Sequence, residues 1–298
     1  MLWVPITLAA AFLQNLRSAL QKKLTADLST GGAAFSRFAF AAPVAILYAL
    51  TITALAGTPL TMPGGPFWVY AAIGGLAQIL GTVFLLKSFS YGSFALGTAF
   101  SKTESLQAAV FGLLVLGEAV GALGGAGLVI GFFGVLVLIS NSGAVSGWSA
   151  PKSALLGVLS GAGFAVAAVC YRAAALSLDA GSAFERAGIT LAAVTTLQTL
   201  AMAFWLQWRE PGEVARVFRA WQLTGPTALA GVAASGCWFT AVTLQQVAYV
   251  RALGQVELVF STLSSALFFK ERVSAREIVG IALIGVSIVL VLLAAARA

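Results

Sequence analysis

Ten stretches of mostly apolar residues run along this chain, near 3–22, 32–55, 67–87, 93–117, 120–140, 153–175, 182–207, 224–246, 248–269 and 274–295. A bilayer's hydrocarbon core, about 30 Å thick, is crossed by about 20 residues of α-helix. Inside it every backbone N–H and C=O must find a partner within the protein, which leaves helices or closed barrels. Only 9% of the residues are charged, against about 25% in soluble domains. That is too little polar surface for a water-soluble fold. The chain is therefore expected to be an all-α membrane protein with ten transmembrane helices.

The remaining composition excludes other classes. The net charge of +7 is not a nucleic-acid footprint, because Lys and Arg sit mostly at the ends of apolar runs, where they meet headgroups and set topology. The chain has no histidine, so a proton relay would use carboxylates, lysine or tyrosine. Cys170 and Cys237 lie inside apolar segments without ligand spacing, so no disulfide framework or zinc site is expected. Residues 1–16 lack the basic n-region of a removable signal peptide. Pro5, Pro66, Pro151 and Pro226 fall at or just before segment starts. Pro43 falls inside the second segment and should kink it.

The chain also echoes itself. Adding 153 to Glu104, Glu118 and Gly127 gives Glu257, Glu271 and Gly280. Phe35 and Arg37 match Phe184 and Arg186, and Arg17 matches Arg172, at slightly different offsets. The Ser/Gly-rich stretch around 142–151 reads as a linker between a first repeat, 1–141, and a second, 152–298. Five helices per repeat, an odd number, make the halves insert in opposite directions, as two inverted repeats around a central cavity.

Most basic residues lie on one side. Lys22, Lys23, Lys87, Lys152, Arg209, Arg216, Arg219, Lys270, Arg272 and Arg276 occupy the odd-numbered connections, with Arg17 and Arg37 nearby. The positive-inside rule then puts those connections in the cytoplasm and both termini outside. Residues 213–221 carry Val214, Val217, Phe218 and Trp221 on one helical face, with Arg216 and Arg219 opposite, and read as an interfacial helix or a polar loop.

A charge inside hydrocarbon is costly and is a functional hypothesis by default. Glu104 and Glu257 lie near mid-depth of the fourth and ninth segments. They are expected to form a protonatable pair facing the cavity, unless basic neighbours neutralise them for packing. Lys102, whose matching position is Gln255, either pairs with a carboxylate or binds an anionic substrate group. Ser101, Asn15, Tyr171 and Trp238 are candidate cavity liners. Arg17, Arg37, Arg172 and Arg186 are interface charges that snorkel, or gates at the two mouths with Asp179 and Glu185 as partners. Glu118 and Glu271 should cap the helices that follow them. Gly124, Gly127, Gly131 and Gly134 form a small-residue stripe for close packing within a half or between two copies.

Two stretches, LGEAVGALGGAGLVIGFFGVLVL at 116–138 and FKERVSAREIVGIALIGVSIVLVL at 269–292, resemble the drug/metabolite transporter superfamily in its ten-helix branch with two EamA-type repeats. The resemblance covers essentially the whole chain. It implies alternating access in the inner membrane, no bound cofactor, and export of amino acids or similar small metabolites. It also implies both termini in the cytoplasm, opposite to the charge pattern. The partners expected are a small-molecule substrate and the lipid bilayer, not nucleic acid, with a monomer or homodimer as the assembly. A carrier of organic-cation or lipid-linked substrates is the alternative. A membrane enzyme acting on lipids is disfavoured, since no catalytic motif is present.

Overall fold

The structure, a computed structural model, describes residues 1–24, 28–58, 61–91, 94–139, 150–260, 262 and 274–297. Among the described residues there is no strand. The helices are α1 Trp3–Leu24, α2 Thr30–Ala39, α3 Ala41–Ala56, α4 Gly65–Tyr91, α5 Phe94–Ser101, α6 Glu104–Leu116, α7 Ala122–Ile139, α8 Ala150–Leu176, α9 Ala183–Arg209, α10 Glu213–Arg219, α11 Trp221–Leu244, α12 Val247–Gly254 and a C-terminal helix Ala275–Arg297. Residues 256–260 are also helical. Among the described residues, six helical stretches are long and apolar enough to cross a bilayer, Gly31–Ala56, Gly65–Tyr91, Pro151–Leu176, Ala183–Arg209, Trp221–Leu244 and Ala275–Arg297, and Ala122–Leu138 is a shorter apolar helix. Residues 142–149 of the expected linker lie outside the described residues, as do Lys270, Glu271 and Arg272; Ala150 and Pro151 open α8.

Three expected segments are interrupted rather than continuous. The second divides at Phe40, three residues before Pro43. Proline has no N–H to return to the carbonyl four residues back, here Ala39, the last residue of α2. The fourth divides at Lys102–Thr103 and the ninth at Gln255. Pro226 lies inside α11 rather than at its start, because that helix begins at Trp221. It still sits close enough to the N-terminus to cost few hydrogen bonds.

The described chain forms two compact units, each drawing on both halves of the sequence: Met1–Ile79 with Cys170–Leu244, and Leu80–Val169 with Gln245–Ala298. In the first unit α1 packs on α11, α3 on α9, and α2 on α9, α10 and α11. Residues 213–219 do form a helix, with Val217 fully buried. Phe218 sets its edge against Phe35 and Phe40 at centroid distances of 6.3 and 5.2 Å.

The start of α2 is fastened by carboxylates from outside the helix. Ser29 Oγ accepts from the Gly32 N–H at 2.9 Å and donates to Glu210, while the Ser29 N–H donates to Glu213 Oε1 at 2.6 Å. Gly32 lacks a side chain where the Glu213 carboxylate lies. Glu213→Ala should therefore leave a part-buried backbone N–H without its acceptor and cost about 1–2 kcal/mol. A melting temperature equal to wild type in detergent would show that this contact carries no weight.

In the second unit α7 packs along the C-terminal helix, and α12 packs on α6, α7 and that same helix. Buried Ala99, Val135, Leu138 and Ile284 form its core. The glycine stripe makes the close approach possible. A Cβ on Gly127 would lie 3.0 Å from Val291 Cγ2, one on Gly134 3.0 Å from the Ile284 N, and one on Gly280 2.7 Å from the Leu138 backbone. The C-terminal helix starts on a capping box: the Ser274 N–H donates to Glu277 Oε2 at 2.7 Å and the Glu277 N–H to Ser274 Oγ at 3.3 Å.

Candidate functional site

The two interruptions in the second unit have local causes. Ser101, Thr103 and Ser105 each turn a hydroxyl onto the carbonyl three residues back, Thr98, Phe100 and Lys102, at 2.7, 2.7 and 3.3 Å. Such back-bonding loosens the regular ladder and satisfies carbonyls that a break would strand. The amides tighten accordingly, with Lys102 N–H on Ala99 O and Thr103 N–H on Phe100 O. On the other strand of the echo, the Gln255 N–H donates to Ala252 O and the Leu258 N–H to Gln255 O. Gly161 of α8 meets the first break so closely that a Cβ would lie 2.7 Å from Thr103 Oγ1 and 2.8 Å from Ser101 O.

Four charges gather at these breaks. Lys102 Nζ forms an ion pair with Glu257, their side chains 13% and 15% exposed. Arg251 Nε lies 2.8 Å from Glu104 Oε1. Lys102 and Glu257 also act electrostatically on Glu104. Gln255, fully buried, donates from Nε2 to Ser105 Oγ at 3.2 Å. The expected residues Lys102, Glu104, Gln255 and Glu257 are thus brought together. The two glutamates do not form a bare pair: each is held by a base. Arg251 is the member the sequence reading missed. It stands six residues before Glu257, on the same interrupted segment.

The other candidates fall elsewhere. Ser101 spends its hydroxyl on its own helix. Tyr171, Gln78 and Gln198 form a buried polar cluster in the first unit: Tyr171 OH donates to Gly74 O at 3.0 Å, and Gln198 Nε2 donates to Gln78 Oε1 at 2.8 Å and Gly75 O at 3.1 Å. The Tyr171 ring stacks on Phe239 at 4.4 Å. Next to it is a small cavity, about 10 Å³ and about the size that admits one water, lined by Arg37, Gln78, Thr195, Gln198 and Ser235 among others. Gln78 and Gln198 were not singled out from sequence, yet an amide deep in an apolar run is the same signal as a buried charge, only weaker. Trp238 Nε1 donates to Gln14 Oε1 at 2.9 Å, next to Asn15, which is half-buried. Arg17 is buried.

Two of the gate candidates make contacts at helix ends. Arg172 Nη1 donates to Val242 O at 2.6 Å and Thr243 O at 3.1 Å. It closes the C-terminal carbonyls of α11, where a cation also suits the helix dipole. Glu185 completes the capping box of α9 with Ser182 and accepts from Thr58. Arg186, the remaining gate candidate, is half-buried one residue further on.

Residues 151–293 match the EamA-like transporter family. No curated protein matches the sequence. A solved crystal structure superposes with a TM-score of 0.73 over 99% of this chain and 98% of the other, at 18% identity. At that identity the likeness shows the fold alone.

Proposed function

We propose that this protein, whose residues 151–293 match the EamA-like transporter family, is a multi-pass membrane transporter of the drug/metabolite transporter superfamily, and that it works as a secondary exporter of small zwitterionic metabolites such as amino acids by alternating access in an inner membrane. The observation that carries this reading is the pair of ion pairs, Lys102–Glu257 and Arg251–Glu104, at the two helix breaks. An amino acid presents one carboxylate and one ammonium. It can replace one acid–base contact with two of its own, so opening the pairs to substrate leaves no bare charge in a low-dielectric site. An organic cation would satisfy Glu257 while taking it from Lys102, which disfavours the alternative substrate class.

Ten crossings in two inverted repeats fit this reading. Exchanging positions through the 153-residue offset turns Gly127–Val291 into Gly280–Leu138, and Gly131–Ser287 into Ile284–Gly134; all four are close contacts. The same offset carries the break at Lys102 onto the break at Gln255. Two copies of one unit related by a two-fold axis in the membrane plane produce such reciprocal contacts. Proton coupling would act through Glu104 and Glu257, since protonating either carboxylate dissolves one ion pair.

The test is flux into proteoliposomes of a radiolabelled amino acid, with and without a pH gradient. The Glu104→Gln/Glu257→Gln double variant should insert normally but lose gradient-driven accumulation by at least tenfold. Undiminished gradient-driven flux in that variant would refute the coupling role. Efficient competition by choline-type cations would refute the substrate class.

A further inference from the structure

The connection between α9 and α11 has a charge arrangement that transport does not use. α9 leaves one candidate span at Arg209 and α11 enters the next at Trp221. Only 210–220 lie between them, so α10 is confined to one bilayer surface. This short connection and its edge carry two acids, Glu210 and Glu213, and three bases, Arg209, Arg216 and Arg219. The acids turn inward: both engage Ser29 at the start of α2, and Glu213 is 4% exposed. The bases turn outward. The Arg216 side chain is 55% exposed even while it touches Glu213 at 2.7 Å, Arg219 is exposed, and Arg209 lies over the Trp208 ring at 5.7 Å. Flanking them are exposed aromatic side chains, Trp208 at 73% and Trp221 at 62%.

Exposed tryptophans at the two mouths of a hairpin mark the headgroup level. Guanidinium groups between them are suited to phosphate oxygens, which they bind in a forked, charge-assisted geometry. We infer that this face is a binding site for anionic phospholipid headgroups, with Arg209, Arg216 and Arg219 contacting the phosphate-bearing groups and Trp208 and Trp221 fixing the depth. The segregation of signs makes the preference for an anionic over a zwitterionic lipid specific to this connection. The inference is independent of what the protein carries.

The experiment uses the full chain in detergent, titrated with phosphatidylglycerol or phosphatidylcholine and followed by thermal shift and by lipid adducts in native mass spectrometry. Phosphatidylglycerol should bind more tightly and stabilise more, and rising salt should erase the difference. The Arg209→Gln/Arg216→Gln/Arg219→Gln variant should lose at least tenfold in phosphatidylglycerol affinity, about fivefold being expected per arginine near a charged headgroup, with its behaviour in phosphatidylcholine unchanged. Because Arg216 also touches Glu213, the Arg209→Gln/Arg219→Gln variant is measured beside it and should show most of the loss. Equal binding of the two lipids by wild type, or undiminished phosphatidylglycerol binding by the double variant, would overturn the inference. So would displacement of the lipid by millimolar inorganic phosphate, which would mark a site for soluble anions instead.

Discussion

Replacing Lys102 with methionine is expected to abolish transport and to lower the stability of the folded protein by about 3 kcal/mol. The reason is the state in which Glu257 is left. Its side chain is 15% exposed and Lys102 is its ion-pair partner. Without the ammonium, Glu257 loses the cation that offsets the cost of holding its charge in a low-dielectric setting. The companion variant Lys102→Met/Glu257→Gln removes both charges. It should recover most of the lost stability, because a neutral pair of similar size has little to desolvate, yet it should not recover transport. A double-mutant cycle with Glu257→Gln alone separates the two effects. If Lys102→Met carries wild-type flux, the lysine is only a packing counter-ion, and the proposed exchange of ion pairs for substrate contacts has lost one of its two seats.

Arg251→Met should resemble Lys102→Met in kind, since Arg251 lies 2.8 Å from Glu104. The two sites are related but not identical. The offset of 153 carries Lys102 onto Gln255, and Gln255 turns to Ser105 rather than to Glu104. The second base comes from Arg251, whose equivalent in the first repeat is Thr98. The duplicated frame is thus filled asymmetrically: both carboxylates keep their places and the bases do not.

That asymmetry explains what the amino-acid sequence could and could not show. Apolar run length marked the helices, because hydrocarbon thickness and backbone satisfaction leave little freedom. The echo marked Glu104 and Glu257, because a charge in an apolar run stands out against its surroundings. Arg251 did not stand out. Near a predicted helix end, an arginine that snorkels and an arginine that pairs inward look alike in one dimension. The breaks at Lys102–Thr103 and Gln255 were also invisible as breaks. Serine and threonine are common in membrane helices, and only their arrangement around Thr98, Phe100 and Lys102 shows that the carbonyls have been handed to side chains. Arg172 and Glu185 were drawn to gates by their position, whereas helix termini nearby needed them more: α11 had open carbonyls and α9 open amides. The glycine stripe on α7 was visible, but its partner was not, because periodicity names a face and not what the face meets.

The second large effect belongs to that partner. Gly280→Val should separate α7 from the C-terminal helix and cost about 3 kcal/mol, at the upper end for overpacking. A Cβ at Gly280 would lie 2.7 Å from Leu138 N, Cα and Cβ, and a backbone atom cannot rotate aside as the tip of a side chain can. Gly285→Ala on the same helix is the control. Nothing lies within 4 Å of a Cβ there, so it should change stability by less than about 0.5 kcal/mol, with the modest helix-propensity gain of alanine as the expected sign. Gly131→Ala is the informative intermediate. Its Cβ would meet Ser287 Oγ at 2.5 Å and Gln255 Oε1 at 2.6 Å, both side-chain atoms that can shift. It should therefore cost less stability than Gly280→Val while displacing Gln255 at the helix break, and transport should fall more than the melting temperature does. If Gly131→Ala and Gly285→Ala are equally active, the break at Gln255 tolerates displacement, and the charges beside it act without the close support that α7 gives them.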